Sequence, residues 1–272
     1  MEAKLQRRIQ RYGWDKACAD YEEYWKKQIE PAQKRLLEMA GLRPGERVLD
    51  IACGTGLITF PAAIAVGARG SIVATDISER MLERGREEAQ KRGLGNTTFQ
   101  RADAESLDFP ESSFDAALCS LGLMYVPEPL NALRLVHRLL RPGGRMAAAV
   151  WGRRERCGWA GIFPVVDARV KSEVCPMFFQ LGSGDSLRTA MELAGFTEVE
   201  VDRLVQPLDY ASAKEAIGAA FAGGPVALAY SHFGRDTREE AHAEYLETIR
   251  PYRRGGGYSI PSEFVVAVGR KK

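Results

Sequence analysis

Short apolar runs alternate along the chain with stretches in which apolar residues recur every three or four positions. The runs read as buried strands at about 48–52, 71–76, 97–100, 114–120, a fifth ending in Val150-Trp151-Gly152, then 199–205 and 263–269. Helical spacing fills the segments between the early strands, and Ser186 to Phe196 reads as a helix closed by Gly195. Strand and helix in alternation predict an α/β fold, a doubly wound, mostly parallel sheet of about seven strands. Before the first strand, residues from about 15 to 40 read as one or two helices. Tyr21, Tyr24, Trp25 and Gln28 share a face there, and Pro31 is placed to start a second helix. Between the last two strands, Ala211 to Ile260 is too long for a bare loop. Ala213–Phe221 and Arg238–Arg250 carry helical patterns within it. The expected organisation is a helical lid over 1–40, a sheet domain over 41–210 and 261–272, and a helical cap over 211–260.

Candidate chemistry begins at Val48-Leu49-Asp50-Ile51-Ala52-Cys53-Gly54-Thr55-Gly56, a strand running into two glycines ahead of a helix. Ligands bind at the carboxyl end of such strands, where a Cβ would obstruct them or forbid a positive φ. A dinucleotide turn needs a third small residue, and Thr59 stands at that position. Asp50 places a carboxylate just before the turn, which suits a ligand bearing ammonium and sulfonium better than a pyrophosphate. The second strand ends in Asp76, twenty residues past Gly56, where a carboxylate can accept from both ribose hydroxyls. Ile77 and Met81 follow and are placed to pack on a purine.

This order of motifs resembles the class I S-adenosylmethionine-dependent methyltransferases, closest to the small-molecule group that includes the ubiquinone/menaquinone C-methyltransferases. The resemblance covers about residues 40 to 151. It rests on Leu49-Asp50-Ile51-Ala52-Cys53-Gly54-Thr55-Gly56, Thr75-Asp76-Ile77-Ser78, Ala102-Asp103-Ala104-Glu105 and Leu140-Arg141-Pro142-Gly143-Gly144. It implies a Rossmann-like domain and S-adenosyl-L-methionine as cofactor, with S-adenosyl-L-homocysteine as product. It further implies that Asp50, Ala52, Gly54 and Gly56 surround the methionine part, that Asp76 holds the ribose, and that Asp103 with Ala104 reads the adenine. Backbone at Cys119 would lie beside the methionine amino group. The expected activity is in-line transfer of the methyl group to a small, partly apolar molecule. Transfer to protein or RNA, and cofactor binding without turnover, are the alternatives. A nicotinamide oxidoreductase is disfavoured by Thr59.

The acceptor side is less sharply written. Tyr21 and Trp25 read either as an aromatic lid across the cleft or as packing on the sheet. Met124 and Tyr125, just after the fourth strand, fit an acceptor pocket or a packed loop equally well. In the cap, His232, His242, Arg250, Tyr252 and Tyr258 are the polar candidates, against surface decoration or a dimer contact. Tyr125, His232 and His242 are the nearest to a general base. Gly255-Gly256-Gly257 fits a hinge or a connector. His137 sits on a scaffold helix. Cys119 reads as a small residue at a strand end rather than a nucleophile, and the Asn/Asp-Pro-Pro-Tyr/Phe signature of amine methylation is absent.

Composition narrows the class. Lys plus Arg number 38 against 36 Asp plus Glu, a formal charge of +2, so no dedicated nucleic-acid surface is expected. Five scattered cysteines and no C-x-x-C pair predict neither a disulfide framework nor a metal site. The start carries no apolar signal segment, and no run is long enough to span a bilayer, so a cytoplasmic enzyme, with homodimerisation open, is the expectation.

Overall fold

The computed structural model describes residues 2–171, 175 and 177–272. The chain opens with helix α1 (Ala3–Ala40). Then come β1 (Arg47–Ile51), α2 (Thr59–Val66), β2 (Ser71–Asp76), α3 (Glu79–Lys91), β3 (Thr97–Arg101) and β4 (Phe114–Ser120). Next are α4 (Pro129–Leu139), β5 (Leu140–Trp151), α5 (Ile162–Asp167), α6 (Ser186–Leu193) and β6 (Thr197–Val205). The chain ends with β7 (Leu208–Tyr210), α7 (Ala213–Phe221), α8 (Ala227–Ser231), α9 (Arg235–Ile249), β8 (Arg253–Arg254), β9 (Gly257–Ile260) and β10 (Glu263–Arg270).

Seven strands form one sheet in the order β3-β2-β1-β4-β5-β10-β6. The pairs among β1 to β5 are parallel, and β10 runs antiparallel to both neighbours. Strand order reverses between β1 and β4, which opens a crevice at their carboxyl ends. Alternation along the strands splits the core in two. Leu49, Ala117, Cys119, Met146 and Ala148 face one cluster, and Val48, Ala116, Leu118, Ala147 and Ala149 face the other. Both faces are apolar because helices cover both.

Helix α1 corrects the expected division at Pro31: it is one element of 38 residues with Pro31 inside it. An interior proline removes one helical hydrogen bond and costs about 3 kcal/mol. Burial on both sides of it offsets that cost, since Ile29, Ala32, Leu36 and Ala40 are at most 2 % exposed. The buried stripe continues toward the N-terminus through Ala17, Gly13, Gln10 and Gln6, at intervals of three and four. Small and amide side chains fill this half, so it carries no hydrophobic signature, and Tyr12 and Trp14 lie within the helix rather than ahead of it.

The 211–260 segment is not wholly helical. Its β9 joins β8 and, from before the segment, β7 in a three-stranded antiparallel sheet, so Leu208–Tyr210 belongs with the cap. Of Gly255-Gly256-Gly257, the first two are the turn between β8 and β9 and the third opens β9. Gly255 has φ +58, and a Cβ on Gly257 would lie 2.1 Å from the Tyr210 carbonyl oxygen. The cap is fastened to α1. The Trp25 Nε1–H donates to the Ala219 carbonyl at 3.2 Å. The Gln28 amide clasps the Asp209 backbone, donating to its oxygen at 2.6 Å and accepting from its N–H at 3.1 Å.

The other end of α1 is fixed by Arg145 on β5. Its guanidinium donates to the Ala40 and Gly41 carbonyls and pairs with Glu46 at 2.8 Å. Both side chains of the pair are under 15 % exposed. Arg145→Ala would leave Glu46 and two helix-terminal carbonyls without their cation. A loss of roughly 3 kcal/mol is expected in urea unfolding, because breaking a desolvated pair strands the remaining charge.

Candidate active site

A cleft open to solvent, about 760 Å³ counted out to its mouth, lies over the carboxyl ends of β1, β2 and β4. Ala52, Gly54, Asp76, Ile77, Met81, Asp103, Ala104 and Tyr125 all line it, and so does Tyr21 from α1. The chain leaves β1 through Ala52 at φ +53 and Gly54 at φ +56, and leaves β4 through Leu121 at φ +58. Ala52 and Leu121 are two of four non-glycine residues with positive φ among those described, and both line the cleft. Strain of this kind persists where the surrounding structure fixes it. Gly122 is needed for a different reason. A Cβ there would lie 2.5 Å from the Ala52 Cβ and 2.9 Å from the Cys119 Sγ, so the β1 and β4 exits can close together only over a glycine.

Two carboxyl groups dominate the electrostatics. Asp76 accepts from the Gly54 N–H at 2.9 Å and the Ser78 N–H at 2.8 Å, which aims it at the cleft floor. Burial pushes its pKa up to about 6, against the lowering effect of those N–H groups. Asp50 is fully buried beneath the turn. It accepts from the Thr59 hydroxyl at 2.5 Å, and its other oxygen has no partner. Burial raises it to about 7, opposed by the Thr59 hydrogen bond. Among the described residues neither carboxyl has a Lys, Arg or His ion-pair partner.

Asp50, Gly56, Cys119 and Met124 lie behind the wall rather than on it. Gly56 serves the turn: its φ is +92, and an added Cβ would meet the Phe60 ring at 2.6 Å. Burial pushes the Cys119 thiol up to about 12, which leaves it no thiolate for nucleophilic attack.

Beside the cleft is a second, smaller cavity of about 380 Å³. Its lining is almost wholly aromatic and aliphatic: Trp14, Tyr21, Trp25, Ile29, Leu121, Tyr125, Trp151, Trp159, Phe178, Gly224 and Pro225. Trp14, Tyr21, Leu121 and Tyr125 border both spaces and form the wall between them. The tryptophans brace one another edge to face, with Trp151 and Trp159 4.8 Å apart and Trp25 about 6 Å from each. The cap reaches this cavity through Gly224 and Pro225, not through its expected polar residues. His232 is exposed. His242 bonds the Tyr230 hydroxyl at 2.9 Å and packs on Phe221, and burial lowers its pKa. Arg250 pairs with Glu247 at 3.4 Å. Tyr252 and Tyr258 are half-buried in the small sheet region. None of the five lines either space. His137 packs edge-on against Phe196, as a scaffold residue.

Sequence patterning missed the α1 contribution. Arg7 reaches Asp103 at 2.9 Å and Glu105 at 2.7 Å, while Asp15 accepts from the Ser78 hydroxyl at 2.6 Å. Gln10 and Trp14 complete the cover. The only trace in sequence is the i, i+3, i+7 spacing of Arg7, Gln10 and Trp14, which no apolar pattern marks.

Comparison with known proteins agrees with this geometry. The family described as "Methyltransferase domain" matches residues 42–159. A ubiquinone/menaquinone biosynthesis C-methyltransferase of Photorhabdus laumondii is 33 % identical over 178 residues, 60 % of this chain and 71 % of that protein. The chain belongs to the class I S-adenosylmethionine-dependent methyltransferases, in the ubiquinone/menaquinone C-methyltransferase-like group. The corresponding enzyme of Ectopseudomonas mendocina is 46 % identical over 111 residues, 40 % of this chain. This methyltransferase-family chain spans 43 % of that relative's length. The YcgJ protein of Bacillus subtilis shares the fold, with a TM-score of 0.62 at 21 % identity, covering 89 % of this chain and 99 % of that one.

The buried carboxyls make a pH prediction for the ligand-free protein. Both folded-state pKa values lie above the usual 3.8, so the folded state binds more protons than the unfolded state between about pH 4 and 7. Their contribution to stability is therefore greatest in acid and declines as pH rises through that window. Asp50→Asn keeps an acceptor for Thr59 and removes one ionisation. Thermal melts should show a higher Tm at neutral pH and a shallower decline toward it.

Proposed function

We propose that this chain transfers the methyl group of S-adenosylmethionine to a small, uncharged, largely apolar acceptor held in the aromatic cavity. The observation that carries this reading is the shared wall. A cleft lined by Asp76, with Asp50 buried behind its wall, meets an aromatic cavity across Trp14, Tyr21, Leu121 and Tyr125.

The residues present fit the cofactor. Gly54 leaves room for a ligand, since a Cβ there would meet only Tyr21, at 3.9 Å. The unpartnered oxygen of Asp50 and the carboxylate of Asp76 favour a cation above them. Asp76 takes the ribose hydroxyls, Ile77 and Met81 flank the adenine, and Asp103 with the backbone of Ala104 reads its edge. When bound, the cofactor supplies an electrophilic methyl on sulfur, so the protein's work is to position the acceptor and exclude water. The aromatic cavity does both, and the first half of α1, latched by Arg7, is the lid.

Among the described residues, no Asp, Glu, His or Lys lines the aromatic cavity. Burial raises the Tyr21 and Tyr125 phenols well above their ordinary range, so neither is a base at neutral pH. The described lining supplies the acceptor no carboxylate or imidazole base, and the two phenols act as neutral donors that orient it. A charged ammonium or carboxylate acceptor would lie in this cavity without a counter-ion.

Methyl-labelled S-adenosylmethionine incubated with the protein and a solvent extract of cells should deliver label to an extractable small molecule. Label appearing in protein or RNA instead would overturn the reading. Asp76→Ala should weaken cofactor binding on the order of a hundredfold, as two hydrogen bonds to a charged group are lost. Calorimetry reads this directly. Trp25→Ala should raise the acceptor KM with the cofactor Kd unchanged, and a change confined to the cofactor would remove Trp25 from the acceptor site.

A further inference from the structure

From Ala3 to Trp14 helix α1 carries Lys4, Arg7, Arg8 and Arg11 and not one acidic residue, in a chain that is otherwise nearly balanced. Arg7 turns inward to Asp103 and Glu105. The others do not. At 3.6 residues per turn, Lys4, Arg8 and Arg11 fall within about 60° of one another. That arc is opposite the buried line of Gln6, Gln10, Gly13 and Ala17. Lys4, Arg8 and Arg11 have no ion pair among the described residues, and neither has the exposed Arg101 at the end of β3. Arg7, Arg8, Arg11 and Arg101 line one open groove with Tyr12, directly beside the cofactor cleft. Asp103 also lines this groove and is paired with Arg7, and Asp15, farther along the helix, accepts from the Ser78 hydroxyl.

The same face exposes apolar surface. Leu5 and Tyr12 are 44 % and 43 % exposed, two of the six exposed large hydrophobics among the described residues. They are seven positions apart, so they stand two turns from each other on one line, and Arg11 lies over the Tyr12 ring at 5.3 Å. Apolar and aromatic side chains flanking a row of unpaired cations are the composition of a helix that lies on an anionic bilayer surface.

We propose that the outer face of α1 docks the protein on anionic phospholipid, with Lys4, Arg8, Arg11 and Arg101 at the headgroups and Leu5 and Tyr12 below them. A membrane is favoured over nucleic acid because Leu5 offers a base nothing to pair or stack with, and because the cavity behind this helix is built for an apolar molecule. The inward face of the same helix covers the cleft, so docking sets the entrance beside the phase in which an apolar acceptor is dissolved.

Co-sedimentation tests this with vesicles of equal parts phosphatidylcholine and phosphatidylglycerol, against phosphatidylcholine alone. The protein should pellet with the mixed vesicles, stay in solution with the neutral ones, and be released by salt. Each cation near such a surface changes partition about fivefold, so R8Q/R11Q/R101Q should lose on the order of a hundredfold. L5S/Y12S should also partition more weakly. Both variants should bind S-adenosylmethionine in solution as the parent does, which shows them folded. Equal partition to both vesicles, no partition, or undiminished partition of the arginine variant would overturn the proposal. Tighter binding to single-stranded RNA than to the mixed vesicles, lost in the same variant, would assign the face to nucleic acid and overturn it too. Sedimentation does not depend on turnover, so its failure leaves the methyl-transfer reading intact.

Discussion

Two carboxyl groups buried without a cation are the constraint around which this molecule is arranged. Asp50 and Asp76 lie on adjacent parallel strands, satisfied only by a hydroxyl and by backbone N–H groups. Holding them there raises both pKa values, so the ligand-free site is in tension with its own charge. A cation in the cleft resolves that tension. The strained exits at Ala52 and Leu121 and the forced glycine at Gly122 close the floor around the space the cation would take.

Two unlike environments adjoin in this molecule. The cleft offers fixed acceptors to a polar, positively charged ligand. The neighbouring cavity offers tryptophan, tyrosine and phenylalanine, with no charge among the described residues. Their common wall is where the ligands would meet. Helix α1 joins these parts: its C-terminal half packs on the sheet through Leu36 and Ala40, and its middle holds the cap through Trp25 and Gln28. Its N-terminal half covers the cleft through Arg7 and Trp14.

The sheet and the cofactor wall were legible because they are written locally. A buried parallel strand needs a continuous apolar run, and a ligand turn after it needs glycine and an acid at fixed offsets. Asp76 and Gly54 could be read in that way, and Asp103 through the family resemblance. The reach of α1 could not, since its buried positions include Gln6, Gln10 and Gly13, and Pro31 resembled a boundary. Its length is set by tertiary packing, which overrides local preference. The cap misled for a related reason. Polar residues in an insertion look functional, yet His242 is taken up by Tyr230 and Arg250 by Glu247. The cap's actual contribution is Gly224-Pro225, residues with no chemistry to mark them. The small sheet was hidden because its strands are only two to four residues long.

We propose that the buried acids serve to meet a cationic cofactor. Titration calorimetry of S-adenosylmethionine in buffers of different ionisation enthalpy, across the range through about pH 6 to 7 set by Asp76 and Asp50, tests it most directly. The account predicts proton release on binding and an affinity that climbs through that range before levelling off. Binding that is independent of pH and takes up or releases no protons would contradict it.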